Sequence, residues 1–231
     1  MNLFDQSISL FFNQAAQRSA FFDQSAIFLT NSDLLKGGVV AGAIWAVWFF
    51  KGDEMERNRT MLLSAVLGSL VALFTARLLA YAAPVRIRPL LEPSLHFRPP
   101  IGLPPQANWT TWSSFPSDHA ALFFALAWGV WSASRRVGPL ILYYVIVMIC
   151  APRLYVGIHY ASDVIAGAAL GIGSTMMLQI APIRRLILRP ILSLEHRWPQ
   201  AFYLLFFLLI FEIATLFWDV RTALSMAGFS T

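Results

Sequence analysis

Six stretches of this chain are too apolar to sit in water. They run over roughly 34–50, 60–84, 118–134, 137–152, 162–182 and 199–218. A helix needs about 20 such residues to cross a bilayer. The first, third and fourth are short for that task, so their ends are the least defined. Arg136 and Arg153 bound the fourth. With 58% hydrophobic and 13% charged residues and a mean hydropathy of +0.62, a soluble domain of 231 residues could not hide its apolar surface. The expected fold is all-α: a polytopic membrane helix bundle of about six transmembrane helices. No polar linker divides it, which argues for one compact bundle. The expected organisation is an N-terminal interfacial segment over 1–33, the bundle over 34–220, and a C-terminal tail over 221–231.

The N-terminal segment carries Leu3, Phe4, Ile8, Phe11 and Phe12, then Phe21, Phe22, Ile27 and Phe28, among Asp, Gln and Asn. This pattern predicts amphipathic helices over 3–17 and 20–30 lying in the membrane interface. The start lacks a basic stretch followed by a clean apolar core, so a cleaved signal peptide is not expected. Cys150 is the single cysteine and lies in an apolar run, which excludes an intramolecular disulfide. The formal charge of +5 does not point to nucleic acid, because the basic residues are scattered through short loops between apolar spans. That arrangement sets membrane topology and attracts anionic lipid headgroups. Placing the loop 51–59 inside puts nine Lys and Arg inside and seven outside, with Arg77 within the second span. If chemistry rather than topology holds Arg86, Arg88 and Arg153 outside, the bias is nine against four. Both termini then face outward.

On that outer face the loops after spans two and four gather the polar residues of interest. Arg86-Ile87-Arg88-Pro89 closes span two. Phe115-Pro116-Ser117-Asp118-His119 opens span three. Arg153, His159 and Asp163 bridge spans four and five. Alternating topology brings these remote segments to one surface. Arg88 and Arg153 are permanent cations whose planar forks match phosphate oxygens. Pro116 suits a helix first turn, after which free N–H groups and the Ser117 hydroxyl point at an anion. His159 and Asp163 are four apart and share a helix face, so the carboxylate is expected to hold one ring nitrogen and leave the other lone pair aimed at substrate. Each piece alone is a common helix boundary or surface pair. Together, on one face, they amount to a nucleophile, an acid and cationic stabilisers.

These segments resemble the type 2 phosphatidic acid phosphatase family of membrane lipid phosphatases. The family's blocks read Lys-x6-Arg-Pro, Pro-Ser-Gly-His and Ser-Arg-x5-His-x3-Asp. Here they stand as Tyr81-x6-Arg88-Pro89, Pro116-Ser117-Asp118-His119 and Pro152-Arg153-x5-His159-x3-Asp163, within about 60–180. The resemblance implies a six-helix bundle without metal or other cofactor. It also implies a phosphohistidine on His159, with His119 protonating the leaving oxygen and Asp163 orienting His159. Arg88, Arg153, Ser117 and the Asp118 backbone amide would bind phosphate.

Three positions depart from the pattern. Tyr81 replaces the lysine; Arg77, one turn earlier, or Arg86 is expected to supply that charge, and a charged residue inside a span is a functional candidate by default. Asp118 replaces glycine, so its side chain must point away from phosphate or pair with an arginine. Pro152 replaces serine and removes a hydroxyl. Phe-Pro-Ser-Asp-His-Ala resembles the family branch acting on undecaprenyl diphosphate. The implied partners are a lipid phosphate and the bilayer, not nucleic acid, with the site facing outward from a bacterial inner membrane. Phosphatidic acid, phosphatidylglycerol phosphate and lipid A remain alternative substrates, as does phosphotransfer to a second lipid. A lipid or anion transporter is the alternative of another class. The segment 90–115, with Pro93, Pro99, Pro100, Pro104, Pro105, Trp109 and Trp112, is stiff and suited to the interface, and is expected to form a lip over the site. His96 and His196 match no motif.

Overall fold

The computed structural model describes residues 2–104 and 112–226. Every regular element among them is helical. Two helices come first, α1 (Leu3–Asn13) and α2 (Ala20–Asn31). Next are α3 (Leu34–Trp48), whose first turn is π-helical, and α4 (Met55–Ala82). After an irregular segment follow α5 (Asp118–Ala133), α6 (Val137–Val156) and α7 (Ala161–Gln179). The chain closes with α8 (181–197), α9 (Pro199–Ala214) and α10 (Trp218–Met226). The C-terminal tail expected from 221 is therefore helical as far as 226.

Helices lie at all six apolar stretches, but they differ in reach. Among the described residues only α4, α6 and α7 are long and apolar enough to cross a bilayer alone, and α2 with α3 makes a fourth span if its 66° bend is counted as one crossing. The α5 helix has 16 residues, or about 24 Å at 1.5 Å per residue. It is the central helix, almost entirely buried from Ala120 to Ala127. Protein rather than lipid surrounds it, so its length need not match the hydrocarbon.

The core of the bundle is α4, α5 and α7, which pack against one another more extensively than any other helices. Small residues allow this, as they do where helices associate in lipid. A Cβ on Gly167 or Gly171 would come within 2.3 Å and 2.2 Å of the carbonyl oxygens of Ser117 and Ala121. This contact presses the start of α7 onto the start of α5, where the motif residues lie.

The two N-terminal helices turn their polar stripe inward. Asp5, Ser9 and Asn13 are buried, as is Asp23, while Leu3, Phe4, Phe11, Phe21 and Phe28 are exposed. Their amphipathic character was legible, but the polar face seals against protein and the apolar face is left for lipid. Asn13 exchanges hydrogen bonds with the backbone of Arg98, and Asp23 accepts from the Tyr155 hydroxyl and the Ile101 amide. These bonds fasten the irregular segment over the end of the bundle.

At the other end of α4, Arg59 pairs with Glu195 and donates to the Trp48 carbonyl, and its guanidinium lies 5.6 Å over the Trp48 ring. The Tyr203 hydroxyl donates to the same carboxylate. Arg59 stands 18 residues before Arg77 on one helix, about 27 Å away.

Candidate functional site

The end of α4, the first turn of α5, the last turn of α6 with the residues just after it, the end of α2 and the start of α3 surround one cavity of about 820 Å3. Arg77, Arg88, Asp118, His119, Arg153 and His159 line it, and so do Lys36 and Asp33.

Arg153 is 1% exposed. It sits in the last turn of α6, which Gly157 closes at φ +80, a left-handed conformation that favours glycine. Its guanidinium donates to the Ile149 carbonyl at 2.6 Å and to that of Thr30 at 3.4 Å, while its Nε is buried without a partner. Arg88 is reached from the loop through the Leu90 amide, which donates to the Gly157 carbonyl at 2.9 Å. It donates to the Ile158 carbonyl, and its Nε is likewise buried and unpartnered. Burial lowers its pKa from the ordinary 12.5, and the charges of Asp118 and Asp163 oppose that shift. Among the described residues neither arginine has a carboxylate within salt-bridge distance. Guanidinium groups removed from water without a counter-charge are strongly unfavourable unless an anion joins them.

His159 is buried, and its Nδ1 lies 2.9 Å from the Ser114 carbonyl oxygen. A carbonyl only accepts, so Nδ1 carries the proton and Nε2 keeps its lone pair. Asp163 was expected to hold this ring. It lies 3.8 Å from Nδ1, beyond a hydrogen bond, because its carboxylate is engaged elsewhere. One oxygen accepts from the Tyr160 amide at 2.7 Å, fixing the start of α7, and the other accepts from Arg86. The backbone of Ser114 orients the histidine, and Asp163 contributes a nearby negative charge.

Arg86 was expected among the phosphate-binding residues and is instead paired with two carboxylates. It bonds Asp163, Asp5 and the Ser162 hydroxyl, stacks 4.3 Å over Tyr160, and does not line the cavity. Asp5, from α1, completes this cluster by accepting from the Ser162 amide and hydroxyl at 2.9 and 2.7 Å. Burial alone would raise the Asp5 carboxyl, but Ser162 and Arg86 outweigh it and hold it below the ordinary aspartate value. Burial also pushes the Tyr160 phenol up to about 12, so the ring under Arg86 stays neutral.

Asp118 forms a bridge. One oxygen lies 2.8 Å from His119 Nδ1 and the other accepts from Arg77 at 2.7 Å. Arg77 also stacks 5.1 Å from the Trp112 ring centre. Arg77 thus reaches the cavity, while Tyr81 is 92% exposed and points away. Pro116 does not occupy the first turn of α5 as expected; it precedes the N-cap, Ser117. The Ser117 oxygen accepts from the Ala120 amide, and Ser117 is buried away from the cavity lining. Of the segment expected to form a lip, Leu103, Trp112 and Ser113 line the cavity, while Pro105 and Trp109 lie outside the described residues.

Chemically, the arrangement offers an unprotonated imidazole nitrogen, a second imidazole backed by a carboxylate, and two guanidinium groups with no carboxylate in salt-bridge distance among the described residues, all at one cavity.

The PAP2 superfamily pattern matches residues 61–185, more than half of the chain. The chain belongs to the PAP2 superfamily. That stretch contains every motif residue described above. The bacitracin transport permease protein BcrC of Bacillus licheniformis is 32% identical over 88 residues, which cover 38% of this chain and 43% of that relative. The match thus spans less than half of the relative's length. No solved structure matches.

Sequence reasoning missed Lys36, Asp5 and Ser114. Lys36 looks like a boundary lysine at the head of an apolar span. Asp5 had a signal, since Asp5, Ser9 and Asn13 repeat at every fourth residue and mark a buried polar stripe. Ser114 acts through its backbone, which leaves no trace in residue identity.

Proposed function

We propose that this chain is a lipid phosphatase that removes the terminal phosphate of a lipid diphosphate, with undecaprenyl diphosphate the favoured substrate. The observation that carries this reading is the meeting of Arg88 and Arg153, both without carboxylates, with the free Nε2 of His159 in one cavity. In the proposed reaction, Nε2 attacks the terminal phosphorus and the bond to the lipid-side oxygen breaks. The electron pair leaves with that oxygen, which takes a proton from His119. Water, deprotonated by His119, then attacks the phosphohistidine and releases phosphate. Arg88 and Arg153 stabilise the phosphoryl oxygens as charge develops. Arg77 holds Asp118 against His119. Asp163 places its carboxylate 3.8 Å from the His159 ring and fixes the start of α7 behind it. Ser117 caps the helix that carries His119.

The polyprenyl preference rests on the resemblance of Phe115-Pro116-Ser117-Asp118-His119 to that branch of the family. The proposed location is a bacterial inner membrane with the cavity facing outward, since Arg59 and the basic residues of α8 gather at the opposite end. The headgroup then reaches the site at the interface while its tail stays in hydrocarbon.

The test is phosphate release by the full chain in vesicles from undecaprenyl diphosphate, phosphatidic acid, phosphatidylglycerol phosphate and lipid A, ranked by kcat/KM. The diphosphate is expected to rank first, and activity is expected to survive EDTA. The relative's printed name, a transport permease, favours a second reading in which the arginines bind a transported anion. Flux of a labelled lipid without phosphate release, and without dependence on His159, would establish that reading instead.

A further inference from the structure

The cavity holds more positive charge than one phosphoryl group requires. Arg88 and Arg153 already offer two cations with no carboxylate in salt-bridge distance among the described residues. Beside them stands Lys36, at the head of α3. Its side chain is 8% exposed and pairs with Asp33 at 3.0 Å. It lies within electrostatic reach of Arg153, Asp118 and His119. An ammonium has three donors, and Asp33 is its one ion-pair partner among the described residues. Asp33 is 50% exposed at the cavity, so it can move into water when a stronger anion arrives, whereas Lys36 cannot. The cavity's 820 Å3 also exceeds what a single phosphoryl group fills.

We propose that Lys36 holds the second phosphate of a lipid diphosphate, the one that stays with the lipid, while the departing phosphoryl group lies between Arg88, Arg153 and His159. This rests on the phosphatase reading and deepens it. Asp33 keeps the buried ammonium charged in the empty site and is displaced by that second phosphate. The lysine expected at position 81 is absent, and Arg77 is committed to Asp118. A cation from a different helix therefore meets the substrate's added charge.

The experiment uses the full chain in phosphatidylcholine vesicles, as wild type, Lys36→Met and Lys36→Arg. Hydrolysis of undecaprenyl diphosphate is compared with that of undecaprenyl monophosphate and phosphatidic acid. Thermal stabilisation by inorganic pyrophosphate and by inorganic phosphate is measured in parallel. Lys36→Met is expected to lower kcat/KM for the diphosphate about 10- to 100-fold, mainly through KM, which is the worth of one charge-assisted hydrogen bond. Hydrolysis of the monophosphates should change little, and Lys36→Arg should restore most of the loss. Pyrophosphate should stabilise Lys36→Met less than wild type, with phosphate affecting the two alike. Wild-type KM for the diphosphate in Lys36→Met, or equal losses on all three lipids without rescue by arginine, would overturn the proposal. If wild type hydrolyses no lipid, the phosphatase reading fails. Lys36-dependent stabilisation by pyrophosphate would then still support the second-phosphate site, and its absence would sink that site too.

Discussion

Two ends of one helix bundle treat arginine in opposite ways. Around Arg59 every charge is answered: Glu195 pairs with it, Tyr203 donates to the same carboxylate, and the Trp48 carbonyl and ring cover the rest. Around Arg88 and Arg153 backbone carbonyls accept some donors, while among the described residues two Nε groups face no partner and no carboxylate stands within salt-bridge distance. The first arrangement is complete without a ligand and acts as a strut. The second becomes complete only when an anion arrives. Arg86 shows that the distinction is local: two residues before Arg88, it is paired with Asp5 and Asp163 and donates to Ser162.

The contrast can be broken by substitution. The largest effect is expected for His159→Ala, with phosphate release falling by about 10⁴-fold or more, as for loss of a nucleophile. Its thermal unfolding should shift little, and a variant that still turns over would remove the nucleophile from the scheme. Arg153→Ala and Arg88→Ala come next, each lowering kcat by about 10²- to 10³-fold. Because both charges lack carboxylates, these variants should melt at or above the wild-type temperature without ligand; a sharply lowered Tm would make them struts after all. Arg59→Met should do the reverse, removing about 3–5 kcal/mol of stability by stranding Glu195 while kcat per folded molecule stays within about threefold. The smallest effect concerns pH. The Asp5 carboxyl titrates below its ordinary 3.8 in the fold, so its contribution is present above that value and is lost as pH falls through the folded pKa. The Tm advantage of wild type over Asp5→Asn, about 1–3 kcal/mol in stability at neutral pH, should shrink below pH 3.8. A gap that is constant with pH would detach Asp5 from Arg86.

Much of this was legible in the sequence, for different reasons at different residues. Apolar runs mark where helices must lie, because a backbone in lipid has no other way to satisfy its polar groups. They do not show which helix is central; the shortness of α5 reads as an uncertain span until its burial is seen. His119, Arg153, His159 and Arg88 carry chemistry in residue identity and spacing, and the cavity gathers all four. The bond from His159 to the Ser114 carbonyl has no such signature. Nor does the competition of Arg86 for Asp163, which depends on a carboxylate near the other end of the chain. Spacing showed that His159 and Asp163 could meet, but not that a stronger cation would take the carboxylate first.

The seal between Asp5 and Ser162 joins residues 157 positions apart. During synthesis at about 5–20 residues per second, the first helix waits roughly 8–30 s before its partners have left the ribosome. In that interval its aspartate, serine and asparagine have only headgroups and water to bond, while its phenylalanines rest in the bilayer surface. The pocket's scaffold is therefore finished only once synthesis has passed α7, when α1 folds back onto a helix made 157 residues later.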